Sequence, residues 1–113
     1  VPEILAEHQR RHASTLGKTD AIERHRWSVE LCRRMARMPE QYHTTVARKA
    51  AWHAARLYGL DDVDGMRKGL QVADRMGLEK LPGGRLVGWL SRAFGLEAGL
   101  RYKFIRETIG KYL

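Results

Sequence analysis

Apolar residues recur along this chain at spacings of three and four, and glycines interrupt the recurrence. Trp27, Leu31, Met35 and Met38 stand four, four and three apart, which stacks them on one face of a helix. That helix is expected to open at Asp20, whose carboxylate can cap free amides, with Glu23 three residues on completing a capping-box pattern. Its apolar face is expected to be core. Pro39 ends it, and Tyr42, Val46, Ala50, Ala54 and Leu57 form the next stripe before Gly59, flattened by Ala47, Ala51 and Ala55. After Asp61 and Asp62, a further helix with Val63, Met66, Leu70 and Ala73 inward runs to Gly77. Its interior Gly65 and Gly69 each cost about 1 kcal/mol relative to Ala, a cost that close packing against the preceding helix would explain.

Leu81-Pro82-Gly83-Gly84 is the clearest break. Beyond it, Leu86, Leu90, Ala93 and Phe94 mark a short helix, and Leu100, Phe104, Thr108 and Ile109 mark another reaching Leu113. At the other end, Pro2 suits a first helical position and Glu3 a positive helix end, so about 2–13 reads as a helical segment. Gly17, Gly59, Gly77 and Gly95 read as C-terminal stops. No run alternates cleanly over five residues. The expected fold class is all-α: five to six short helices in an antiparallel bundle, with an N-terminal arm over 1–18 and the bundle over 19–113. The pair of helices over about 40–77 resembles a single tetratricopeptide-like hairpin, whereas a solenoid needs about three stacked units.

Charge adds a second layer. The 113 residues carry 21 Lys plus Arg against 13 Asp plus Glu, a net charge of +8, with 43% hydrophobic residues. A chain so composed buries a core and still favours anionic partners. The excess divides as +5 over 1–60 and +3 over 61–113. The single Cys32 excludes an internal disulfide, and no apolar run reaches the roughly 20 residues of a spanning helix. A cytoplasmic setting is expected, and the start at Val1-Pro2-Glu3 suggests a piece of a longer polypeptide.

Candidate chemistry is sparse. His8 and His12 share a helix face, but Gln9, Arg10 and Arg11 lie between them and no third ligand is near in sequence, so no metal site is expected. Leu81-Pro82-Gly83-Gly84-Arg85 lacks the Gly-Lys-Ser/Thr ending of a phosphate loop. Asp61, Asp62 and Asp64 read first as capping residues. No catalytic set and no cofactor site emerge.

Basic residues carry the stronger signal. Arg26, Arg33 and Arg37, with Arg34 beside them, form a guanidinium stripe opposite Trp27 and Leu31, and Arg10, Arg11, Arg48 and Lys49 could extend it. Guanidinium groups suit phosphate, whether in nucleic acid or in lipid headgroups, and a solvated face partly neutralised by Glu23, Glu30 and Glu40 is the plain alternative. Arg101, Lys103, Arg106 and Lys111 alternate with Tyr102, Phe104 and Tyr112, aromatics that could stack on bases or fill a core. The acidic run after Gly59 opposes a helix-turn-helix reading, so the charge favours non-specific affinity over sequence reading.

Val1-Pro2-Glu3-Ile4-Leu5, followed by Gln9-Arg10-Arg11-His12-Ala13-Ser14-Thr15, resembles the segment closing the catalytic domain of family 2 glycosyltransferases of the GT-A type. The resemblance covers about the first 16 residues. It implies a strand over residues 1–7, loop positions near the sugar-nucleotide site at Arg10, His12 and Ser14, and a C-terminal accessory role for the helices that follow. Gln9 stands where the family has an aromatic residue, and the resemblance implies that the catalytic core with the family's nucleotide-sugar and metal motifs lies upstream of Val1. The resulting expectation is a non-catalytic helical accessory or interaction domain that packs on a catalytic domain of the same chain or another protein. Its basic face would meet an anionic partner, nucleic acid or an anionic membrane surface included. The alternative is a small basic nucleic-acid-binding domain.

Overall fold

The computed structural model describes the backbone of residues 2–112 and the side chains of residues 17–111. Among these residues the architecture is all-α, with five helices and no strand: α1 Pro2–Arg34, α2 His43–Gly59, α3 Val63–Arg75, α4 Arg85–Phe94 and α5 Leu96–Tyr112. Short 3₁₀ turns at Met35–Arg37 and Glu40–Tyr42 flank Pro39.

The N-terminal expectations change most. Helix α1 passes through Gly17 and Asp20 without a break, so the proposed arm boundary at residue 18 falls inside a helix. Gly17 is absent from the positive-φ positions, and Asp20 pairs with Arg24 one turn later at 3.3 Å instead of capping an end. Residues 2–7, where the glycosyltransferase resemblance implies a strand, are helical.

The stripe expected to be core also lies outside. Trp27, Leu31, Met35 and Met38 are all exposed, Trp27 by 55%. Val29 and Cys32 are buried, with Ile22 packed partly against the same core. The physical reason is the neighbour. Helix α1 packs on both α2 and α3 and meets them with the side that carries His25, Val29 and Cys32, the His25 ring lying against His53 of α2. The larger stripe is left for solvent, where the Arg34 guanidinium lies 5.3 Å from the Trp27 ring centroid.

Helices α2 and α3 form the hairpin expected over about 40–77, packed antiparallel through Val46, Ala50, Ala54 and Leu57 against Met66, Leu70 and Ala73. A Cβ on Gly69 would stand 2.8 Å from the Ala54 Cβ and 3.1 Å from the Ala50 carbonyl oxygen, which accounts for glycine within this helix. At the turn the left-handed residue is Asp61 (φ 64°), while Gly59 remains the last residue of α2. Asp62 then caps α3 by accepting from the Gly65 amide at 3.2 Å.

Gly77 and Gly95, with φ of 92° and 99°, do end their segments in the left-handed region. Helices α4 and α5 fold into a second antiparallel hairpin in which Gly99 lies against Ser91 and the Val87 carbonyl. This hairpin joins the rest through Leu100, fully buried, through Phe104 edge-on to Tyr58 at 4.7 Å, and through Arg67 donating to Glu97 at 2.8 Å. Between the two hairpins runs a cleft.

Candidate ligand cleft

One wall of the cleft is a single face of α2. Thr44, Ala47, Arg48, Ala51, Trp52 and Ala55 recur at spacings of three and one, covering three turns or about 16 Å of helix. Because Ala47, Ala51 and Ala55 end at Cβ, this wall is flat and apolar. The opposite wall is the α3–α4 connection, Met76 to Pro82, which Pro82 and the left-handed Gly77 and Gly83 hold away from α2. Leu100 and Lys103 of α5 and Arg92 of α4 close one end. The space enclosed is about 660 Å³, within the range of pockets that take drug-sized ligands or a few peptide side chains.

The rim is cationic. Arg48, Lys80, Arg92 and Lys103 face a single carboxylate, Glu79, which stands 3.8 Å from Arg92 and is itself exposed. Arg48, Lys80 and Lys103 have no ion-pair partner among the described residues. At the outer edge, Trp52 is half exposed, with the Arg56 guanidinium over its ring at 4.8 Å and the His53 ring edge-on at 5.0 Å. An apolar floor beneath three unneutralised cations selects ligands carrying both apolar side chains and negative charge.

The guanidinium stripe on α1 is arranged differently from the sequence expectation. Arg26 makes a two-pronged ion pair with Asp62, both contacts at 2.5 Å. Arg33 and Arg34 share Glu30, whose carboxyl is held down to about 2 chiefly by the hydrogen bond from Arg33. Arg37 alone on the stripe lacks such a partner among the described residues. Arg10 and Arg11, like His8, His12 and Ser14, have side chains outside the described residues. Lys49 stands on the α1 side of α2, close enough to Cys32 and His53 to oppose protonation of the His53 ring. Among the described residues of the expected set, only Arg48 reaches the cleft.

A narrower groove between α1 and α3, about 320 Å³, does collect Arg26 and Arg33 with Lys68 and Arg75. Two of these four are already neutralised by Asp62 and Glu30. Among the described residues no three His, Cys, Asp or Glu side chains converge to hold a metal ion. No helix there is long and apolar enough to cross a membrane.

Sequence reasoning missed Trp52, Lys80 and Arg92 as a set because the cleft is assembled from α2, the α3–α4 connection and α5. Its one local signal was the alanine-rich face of α2 interrupted by a cation at Arg48. Comparison of the chain with protein-family models, with curated proteins and with solved structures finds no match.

Proposed function

We propose that the protein is a non-catalytic helical interaction domain whose cleft receives an acidic, amphipathic segment of a protein partner. The observation that carries this reading is the pairing of an alanine floor with Arg48, Lys80 and Lys103 on the rim. The apolar side chains of such a segment would seat between Trp52 and Ala55 of α2 and the α3–α4 connection. The acidic side chains of such a segment would lie along the rim, where complementary charge speeds encounter and fixes orientation.

The partner is a catalytic domain of the same chain or another protein. The glycosyltransferase resemblance names one such domain and remains the N-terminal residues' own suggestion. A second reading, nucleic-acid binding, draws on the α1–α3 groove, where Lys68 and Arg75 stand free of ion pairs among the described residues. The salt bridges of Arg26 and Arg33 weaken it.

A fluorescent helical peptide with Leu on one face and Glu on the other tests the first reading. It should bind saturably, and the Arg48→Glu/Lys103→Glu double variant should weaken binding by about tenfold or more. Equal binding of a peptide with Lys in place of Glu, or an unchanged affinity in the variant, counts against it. Titration with duplex and single-stranded nucleic acid over a salt series tests the second reading, which fails if nothing binds at low salt.

A further inference from the structure

The groove between α1 and α3 is walled by two helix faces of one spacing. On α1, Arg26, Val29, Glu30 and Arg33 follow one another at three, one and three residues; on α3, Lys68, Gln71, Val72 and Arg75 do the same. Each wall therefore carries two cations seven residues apart, about 10.5 Å along the helix, with a valine between them. Val29 and Val72 are both buried and give the groove an apolar floor.

The ion pairs on the α1 wall hold its guanidinium groups in place without using them up. Arg26 donates to Asp62 through Nε and Nη2, and Arg33 donates to Glu30 through the same two nitrogens, so Nη1 of each stays outside its pair. On the α3 wall, Lys68 and Arg75 have no ion-pair partner among the described residues. Lys68 acts on Asp62 only through longer-range charge, both carboxylate oxygens there being bound by Arg26. Within the groove, four cations (Arg26, Arg33, Lys68 and Arg75) against two carboxylates (Glu30 and Asp62) leave an excess of two positive charges. That excess is small for a nucleic-acid strand, whose affinity grows with every phosphate neutralised. It matches a single phosphomonoester, which carries about −1.5 to −2 at neutral pH together with three acceptor oxygens. The enclosed space of about 320 Å³ stands at the small end of ligand pockets. We infer that the α1–α3 groove binds the phosphate group of a small phosphomonoester. Lys68 and Arg75 supply the charge, Arg26 and Arg33 supply oriented donors, and Val29 and Val72 receive the apolar body of the ligand. The site is separate from the cleft over α2 and does not rest on the reading of that cleft.

Phenyl phosphate, followed by methyl and amide chemical shifts of the whole chain, is the test. The methyls of Val29 and Val72 and the amide of Gly65 should shift together and saturate at millimolar concentration. Benzenesulfonate, which has the same ring and one charge, should bind about tenfold more weakly. A Lys68→Ala/Arg75→Ala variant removes exposed side chains only; with its helical circular dichroism intact, it should weaken phenyl phosphate binding by about tenfold or more. The Arg48→Glu/Lys103→Glu variant of the cleft rim should bind it as the wild type does. Absence of a saturable shift overturns the inference, as does undiminished binding by the Lys68/Arg75 variant. Equal affinity for benzenesulfonate would reduce the groove to a general anion surface and overturn the phosphate assignment. A phosphoserine peptide that binds more tightly than phenyl phosphate would move the phosphate onto a protein partner and overturn the small-molecule assignment.

Discussion

The Nδ1 atoms of His25 on α1 and His53 on α2 lie 2.9 Å apart, so one ring donates its proton and the other accepts with a bare lone pair. Both rings cannot be charged and keep this bond. Burial, then Arg56 and Arg24, holds His25 below its ordinary value of 6.5; burial, then His25 and Lys49, does the same for His53. The unfolded chain therefore binds more protons than the folded one as the medium is acidified. Stability is full above pH 6.5 and declines as pH falls through the lowered values of the folded pair. The urea midpoint of the wild type should drop over this window, and that of His25→Gln should drop less. A midpoint flat with pH in the wild type would contradict the account.

Asp62 holds two elements at once: it caps α3 through the Gly65 amide and anchors α1 through Arg26. Asp62→Ala should cost about 2 kcal/mol, of which about 1 is the cap. Arg26→Ala should cost less, because its side chain is 48% exposed and the cap survives. Arg26 also keeps the Asp62 carboxyl below its ordinary 3.8, so this contribution is present above that value and fades on further acidification, a window lower than that of the histidine pair. Equal losses in the two variants, read from denaturant unfolding, would mean that the cap contributes nothing and contradict this ranking.

Two glycine-to-alanine changes should have opposite signs. In Gly69→Ala the new methyl meets the Ala54 Cβ and the Ala50 carbonyl, and overpacking of about 1–3 kcal/mol outweighs the gain in helix propensity. In Gly17→Ala the new methyl meets nothing within 4 Å, and the helix should gain about 0.5–1 kcal/mol. Thermal unfolding of both separates them.

Cys32 should be slow to react. The thiol is buried on the α1–α2 interface, and burial pushes its pKa up despite the nearby Lys49. Labelling by a thiol reagent should be on the order of a hundredfold slower in the native protein than in denaturant. A native rate equal to the unfolded one would show that α1 parts readily from α2.

Much of the fold could be read from local pattern. The α2–α3 hairpin, the close packing at Gly69 and the stops at Gly77 and Gly95 each depend on residues within a turn or two of one another. The face of α1 could not be read that way. Trp27, Leu31, Met35 and Met38 keep helical spacing as faithfully as Ile22, Val29 and Cys32 do. Which stripe is buried depends on where α2 and α3 meet the helix. The same holds for charge. Arg26 looks free until Asp62, 36 residues away, reaches it, whereas Arg48 and Lys103 are far apart in sequence and meet at one cleft. Periodicity fixes faces; only packing assigns their neighbours.

The most direct test of the cleft is methyl chemical-shift mapping on titration with the Glu/Leu amphipathic peptide. The methyls of Ala47, Ala51, Ala55 and Leu100 should shift together and saturate, while those of Leu31 and Ala36 near the α1 guanidinium stripe stay in place. Movement of the α1 signals with the cleft methyls unmoved would contradict the cleft assignment.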